Sequence, residues 1–172
     1  RGENGFGMIL HLFRHGIAID REDPACPSEH DRFLTPKGIA KTQAAAHGLH
    51  AMGLKPSVIL TSPLLRAVQT AEIACEALSY PVKKLRQIEA LKPDAKPTDL
   101  FDELSGLKAD EVLCVGHAPN LDEIIAFTIG CHTTVTSLKK SGLGSVEIES
   151  FSPPHGTIVG VYSGRALRFL AD

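Results

Sequence analysis

Three short polar clusters carry the residue types in this chain that could do chemistry. Arg14-His15-Gly16 closes one apolar run, Ser62-Pro63-Leu64-Leu65-Arg66 closes a second, and Gly116-His117-Ala118-Pro119-Asn120 closes a third. Together they hold two arginines, two histidines and the starts of two expected helices. Guanidinium forks match the oxygens of a phosphate, and the free amides of a helix N-terminus favour negative charge. Taken singly, a strand-end arginine is an ordinary surface charge, and a lone histidine beside an apolar strand is more often a hydrogen-bonded structural residue. The joint placement of all three clusters after apolar runs is what argues for a phosphate site. The other six histidines (His11, His30, His47, His50, His132 and His155) lack such company. His47 and His50 share a helix, but without an HExxH pattern they predict no metal site.

For the clusters to meet, the runs before them must be neighbouring parallel strands. Met8 to Phe13 is apolar and of strand length, as are Val58 to Thr61 and Glu111 to Gly116. A polar loop with Pro24 and Pro27 covers 17–33. Thr35-Pro36 is a cap followed by a proline in first position, and a helix runs on to Met52 with Gly53 placed to end it. Ser62-Pro63 repeats that start for a helix over 64–78. A short strand is expected at Val82 to Leu85, and a loop with two prolines over 92–97. A short helix capped by Thr98 is expected to run to Leu107, and a further helix over 119–129. Ser145 to Phe151 and Thr157 to Tyr162 alternate around Pro153-Pro154-His155-Gly156 and read as antiparallel strands. The pattern predicts an α/β fold. Specifically, it is a three-layer α/β/α sandwich, its central sheet mainly parallel with antiparallel C-terminal strands. Ligands in such sheets sit at the carboxyl ends of the parallel strands, where the three clusters would lie.

Composition sets the outer limits. The chain has 172 residues, 43% hydrophobic and 22% charged, and a formal net charge of −2 from 18 basic and 20 acidic side chains. That suits one globular domain, expected over 8–172 behind a flexible lead-in at 1–7. The near-neutral balance argues against a nucleic-acid backbone or an anionic membrane as partner, and no apolar run nears the roughly 20 residues of a membrane span. No signal peptide is read in the N-terminal residues. The four cysteines, Cys26, Cys75, Cys114 and Cys131, form no CxxC pair. Cys75 and Cys114 read as buried thiols, and a cytoplasmic setting is expected.

The clusters also resemble a known family. Leu12-Phe13-Arg14-His15-Gly16 is similar to the RHG signature of the histidine phosphatase superfamily, also called phosphoglycerate-mutase-like. Leu34-Thr35-Pro36-Lys37-Gly38 with Ala40 and Gln43 resembles its LTxxG helix start. Ser62 to Ala67 with Gln69-Thr70-Ala71 resembles its SPxxRAxQTA segment, and Val115 to Pro119 its second-histidine motif. The four stand in family order and the likeness runs from Met8 to about Phe151. The short length and Arg32-Phe33-Leu34-Thr35 point to the SixA-type phosphohistidine phosphatase branch.

The resemblance implies a mechanism. His15 attacks phosphorus and forms a phosphohistidine intermediate, which water hydrolyses. Arg14 and Arg66 are expected to keep His15 neutral. Arg14, Arg66 and His117 hold the phosphoryl oxygens, and Arg32 reaches the same anion by its match to a SixA-type arginine. No metal or cofactor is implied. Glu89 stands where a family acid would protonate the leaving group, with Asp94 and Asp99 as alternatives; the plain reading of all three is a solvated loop carboxylate, which for Glu89 weighs equally. Larger relatives insert a helical cover between the acid and the second histidine; here little chain is available for one. A shallow site favours a phosphohistidine domain of a protein as partner over a small sugar phosphate. A phosphomonoesterase for a small metabolite or nucleotide, and a non-catalytic phosphate-binding module, stand as alternatives; a mutase needs a closed site and is the least favoured.

Overall fold

The computed structural model describes residues 7–171. Apart from Gly7, the lead-in expected over 1–7 lies outside them. The strands are β1 (Met8–Arg14), β2 (Val58–Thr61), β3 (Arg86–Gln87), β4 (Glu111–Gly116), β5 (Leu143–Phe151) and β6 (Pro154–Tyr162). The helices are α1 (Pro36–Ala51), α2 (Leu65–Ala77), α3 (Pro97–Ser105), α4 (Asn120–Thr128) and α5 (Gly164–Leu170). They form one sheet in the order β3-β2-β4-β1-β5-β6. β1, β2, β3 and β4 run parallel, and β5 and β6 are antiparallel. The fold is thus the expected α/β class, mainly parallel with an antiparallel C-terminal pair.

Helices cover both faces because the central strands are apolar on both. Leu10, Leu12, Val112 and Cys114 meet α3 and α4 through Leu100, Leu104, Leu121 and Ile124. On the other face Phe13, Ile59, Leu113 and Val115 meet Ala45 and Leu49 of α1, Ala67 and Ala71 of α2 and Leu167 of α5. Near-continuous apolar runs are what strands buried on both faces require. Arg14 pairs with Gly116, Thr61 with Val115, and Phe13 with Leu143, so three carboxyl ends and the start of β5 reach the same sheet edge.

Two motif residues act through local geometry. Thr35 caps α1, its hydroxyl accepting from the Gly38 N–H at 3.0 Å. Gly38 lets the helix pass against the chain after β1, since a Cβ there would lie 2.0 Å from the Ile17 carbonyl oxygen.

Three local expectations are corrected. Val82 to Leu85 is not a strand. Val82–Lys84 is a 3-10 turn, closed by bonds from Lys84 to Pro81 and from Leu85 to Val82, because nothing covers half-exposed Val82. The strand follows it and pairs over only two residues. The helix expected from Thr98 instead starts at Pro97, and the Asp99 carboxylate accepts from the Lys96 N–H at 2.9 Å. Ser62 does not cap α2, which starts at Leu65 without a side-chain cap; the Leu65 N–H is bound by the His30 carbonyl instead.

Cys75 and Cys114 are buried free thiols. Burial pushes both up, Cys75 to about 11. No helix among the described residues is long and apolar enough to cross a membrane.

Candidate active site

A cavity of about 720 Å³ opens at the carboxyl edge of the sheet. Arg14, His15, Arg32, Arg66 and His117 all line it, so the three clusters converge as expected. His15 stands just past β1, its N–H held by the Gly116 carbonyl at 3.0 Å. The next amide, Gly16 N–H, is held by the Thr70 hydroxyl at 3.0 Å, and Thr70 donates in turn to the Arg66 carbonyl. A Cβ at Gly16 would sit 2.2 Å from the Thr42 hydroxyl, so glycine is what lets α1 close on the strand end. Gln69 reaches back to the Leu34 N–H at 2.7 Å and ties the 17–35 loop to α2. The motif residues that do not line the cavity therefore build its frame.

The His15 ring is buried, and its Nδ1 lies 2.7 Å from the Gly16 carbonyl oxygen. A carbonyl only accepts, so Nδ1 carries the proton and Nε2 keeps its lone pair. Nε2 lies 3.4 Å from Nζ of Lys140. The pKa of His15 is held well below 6.5, first by burial, then by Lys140, His117 and Arg66. The neutral form is thus maintained as expected, but Lys140 contributes more than Arg66, and Arg14 is not among the causes.

His117 packs against it, ring centroids 5.0 Å apart and tilted by 58°. Its Nε2 meets the Ser62 hydroxyl at 2.8 Å. Burial, then Arg66 and Lys140, push His117 down to about 3, so it too is neutral. The Ser62 oxygen also accepts from the Leu64 N–H at 3.3 Å; where Ser62 donates its own proton to His117 Nε2, the neutral His117 carries its proton on Nδ1.

The arginines are fixed from behind. Arg14 donates through Nη1 to the Leu138 carbonyl at 2.6 Å. The turn carrying Leu138 is anchored by buried Asp122, which accepts from the Leu138 N–H at 3.0 Å and the Thr136 hydroxyl at 2.6 Å. Arg66 donates to the Glu29 carbonyl at 2.8 Å and to its carboxylate at 2.9 Å. Arg32 gives two donors to the Ile19 carbonyl, at 3.0 and 2.9 Å, and a third to Glu29. It lines the cavity, but most of its fork braces the loop. Nε of Arg14, Nε of Arg66 and Nδ1 of His117 are buried and make no hydrogen bond within the protein. Buried polar groups are almost always paired, and these three unpaired ones all belong to residues that line the cavity.

Glu89 is not brought to the cavity. Its carboxylate stands in solvent on the 3-10 turn Glu89–Leu91 and pairs with Lys92. Asp94 lines the cavity, and Asp99 is used in the α3 start. The Asn120 amide donates to the Ala95 carbonyl at 2.8 Å and holds the 92–97 loop beside the site. Among the described residues, no three His, Cys, Asp or Glu side chains cluster as a metal ion would require.

The sequence reading missed two residues. Glu29 binds Arg21 twice at 2.9 Å, as well as Arg32 and Arg66, and Arg21 leads the causes that pull its carboxyl down to about 2. The Glu29/Arg32 spacing, one helical turn within a proline-flanked loop, was its only signal. Lys140 escapes a reading that starts β5 at Ser145, two residues past its start at Leu143. An antiparallel strand enters the sheet at the edge where its parallel neighbours end, so the residues just before it belong to the site.

A family model described as the histidine phosphatase superfamily (branch 1) matches residues 10–92. A protein of Picosynechococcus sp. with no function assigned is 41% identical over 142 residues, 79% of this chain and 82% of that one. A 2,3-bisphosphoglycerate-dependent phosphoglycerate mutase of Methylobacterium sp. is 31% identical over 60% of this chain; the match spans 47% of the mutase, about half its length. Among solved structures, the protein histidine phosphatase SixA complexed with tungstate is similar with a TM-score of 0.81 and 26% identity, over 93% of this chain and 99% of that one.

Proposed function

The chain belongs to the histidine phosphatase superfamily, and from that premise we propose that it is a phosphatase for phosphohistidine on a protein, working through a covalent intermediate on His15. One observation carries the reading: His15 Nδ1 is committed to the Gly16 carbonyl, which leaves Nε2 unprotonated in a cavity among cations.

In the first step the Nε2 lone pair forms a bond to phosphorus and the leaving group departs with its electron pair. Arg14, Arg66 and the Nδ1–H of His117 face the phosphoryl oxygens and stabilise charge that builds there. In the second step water attacks phosphorus and the bond to Nε2 breaks. Because Nδ1 keeps its proton throughout, His15 leaves as neutral imidazole and needs no acid. The arginines supply the positive charge, so no step uses a metal or cofactor.

Two features support a protein substrate. The chain between β3 and β4 makes α3, which buries Leu100, Phe101 and Leu104 against the sheet face rather than roofing the cavity. Glu89 is turned into solvent and Asp94 is the expected acid that does line the cavity, so a leaving group that needs little acid help suits a site with one such carboxylate. A phosphoimidazole is one, because its ring accepts a proton from water, whereas an alkoxide depends on a positioned acid. The SixA relative is itself a protein histidine phosphatase. The test compares kcat/KM on a phosphohistidine peptide, a sugar phosphate and p-nitrophenyl phosphate. The peptide is expected to lead by more than tenfold; a sugar phosphate leading by that margin would transfer the reading to small phosphoesters.

A further inference from the structure

Lys140 is delivered to the cavity by a turn clamped to the end of β1 on several sides. The turn is closed by the Gly142 N–H on the Lys139 carbonyl at 2.9 Å. The Ser141 N–H reaches the carbonyls of Arg14 and His15 at 3.1 and 3.3 Å, and the Gly142 carbonyl accepts from the Arg14 N–H at 2.9 Å. The Ser141 and Thr42 hydroxyls meet at 3.0 Å. Ser141 is held at φ +56, a left-handed conformation that costs a non-glycine residue free energy. Such bracing fixes the backbone that carries Lys140, and its half-buried ammonium lies 3.4 Å from His15 Nε2, the one lone pair the reaction uses.

Resting on the reading of His15 as nucleophile, we propose that Lys140 is a catalytic residue. Its ammonium donates to His15 Nε2 before the phosphoryl group arrives, then to a phosphoryl oxygen once Nε2 bonds phosphorus. The transfer only exchanges acceptors. Lys140 keeps its protons, the leaving group takes its proton from solvent, and when water displaces phosphate the pair returns to Nε2, where Lys140 binds it again. The donor sits on the nucleophile's side of phosphorus. It therefore serves the three oxygens that spread out in the transition state and not the leaving group opposite. A donor used most in the transition state stabilises a trigonal-bipyramidal analogue more than ground-state phosphate. Burial, then Arg14, Arg66, Arg32 and Arg21, push Lys140 down to about 8, so the ammonium persists at neutral pH while holding its proton loosely.

The experiment uses the whole chain and two probes, orthovanadate and inorganic phosphate, measured by calorimetry and as inhibitors of p-nitrophenyl phosphate turnover. Lys140→Met is expected to lower kcat/KM about 10²-fold, the usual effect of losing one such donor. It should weaken vanadate at least tenfold more than phosphate, with an unchanged melting temperature. Lys140→Arg should recover much of the loss, and Lys139→Met, on the exposed neighbour, should match the parent. Equal vanadate affinity in Lys140→Met and an active parent overturns the role of Lys140 and leaves the phosphatase reading standing. A parent that neither turns over nor binds vanadate overturns both.

Discussion

His11 and His15 belong to one stretch of chain, the first inside β1 and the second just past its end. Both are buried, at 7% and 4% exposure, and in both burial is the leading cause that lowers the pKa. Their surroundings then diverge. The two ring nitrogens of His11 are both taken, one by the Ser145 hydroxyl at 2.7 Å and the other by the Glu111 carboxylate at 3.2 Å. Glu111 also accepts from the Lys55 N–H, so the group ties three segments together. His15 has one nitrogen bound to the backbone, while the other faces the cavity and meets only the Lys140 ammonium, at 3.4 Å. Inside the strand, neighbouring strands supply fixed partners for both ring nitrogens; past its end they stop, and a ring nitrogen can face the cavity. What separates a structural histidine from a reactive one in this molecule is what the second nitrogen meets, a carboxylate on a neighbouring strand for His11 and a lysine at a cavity for His15, since burial is shared.

The comparison breaks most sharply under substitution. His15→Ala should remove turnover by several orders of magnitude and leave the melting temperature within a few degrees. His11→Ala should do the reverse, costing about 1–3 kcal/mol by stranding the Ser145 and Glu111 partners while the folded enzyme keeps its kcat. Urea melts and kcat/KM on p-nitrophenyl phosphate check both. A His11 variant that folds normally but is inactive would show that the two histidines are not separable. Next in size is Arg66→Ala, expected to cost about 10²–10³ in kcat/KM as a lost phosphoryl partner. Retained activity there would mean that Glu29, its partner at 2.9 Å, is the purpose of Arg66.

A smaller effect concerns pH. His15, His117 and His11 all have folded pKa values below the ordinary 6.5, His117 at about 3. Above pH 6.5 neither folded nor unfolded chain is protonated at these sites, and stability is at its full value. As pH falls below 6.5 the unfolded chain takes up protons that the folded chain refuses, so stability declines toward the folded pKa values. The Glu29 carboxylate adds a second loss between its ordinary 4.5 and about 2. Urea midpoints should therefore drop from pH 7 to pH 5. Over the same range the acid limb of kcat/KM should lie below 6.5, because His15 remains unprotonated. A limb centred at 6.5 would mean that the nucleophile is not the shielded histidine described here. The smallest effect is expected from chelation: prolonged EDTA treatment should leave the rate unchanged, and restoration of a lost rate by a divalent ion would show that the arginines are not the source of positive charge.

The parts legible in the sequence were those that local rules govern. Thr35-Pro36 announced a helix start because capping acts within a turn of chain, and the apolar runs announced strands buried on both faces. Convergence of Arg14, His15, Arg66 and His117 followed from parallel strands ending at one edge. The parts that were not legible depend on distant partners. Ser62-Pro63 looks like a second Thr35-Pro36, but the Ser62 hydroxyl is drawn to His117, 55 positions away. Glu29 looks like a solvated loop acid until three arginines surround it. Glu89 is placed by its likeness to a family acid after the third strand; it does follow β3, yet it opens a 3-10 turn that leaves its carboxylate exposed, paired with Lys92 of the cavity lining.

The central claim concerns one atom, His15 Nε2, and trapping the intermediate tests it. The protein would be mixed with p-nitrophenyl phosphate or a phosphohistidine peptide, quenched in base within the first turnover, and examined by phosphorus NMR and fragment mass spectrometry. Phosphate bonded to Nε2 of His15, and absent from His15→Ala, is the predicted result. Phosphate on Nδ1, on His117 or on another residue, or steady turnover without a phosphorylated histidine, would contradict the account.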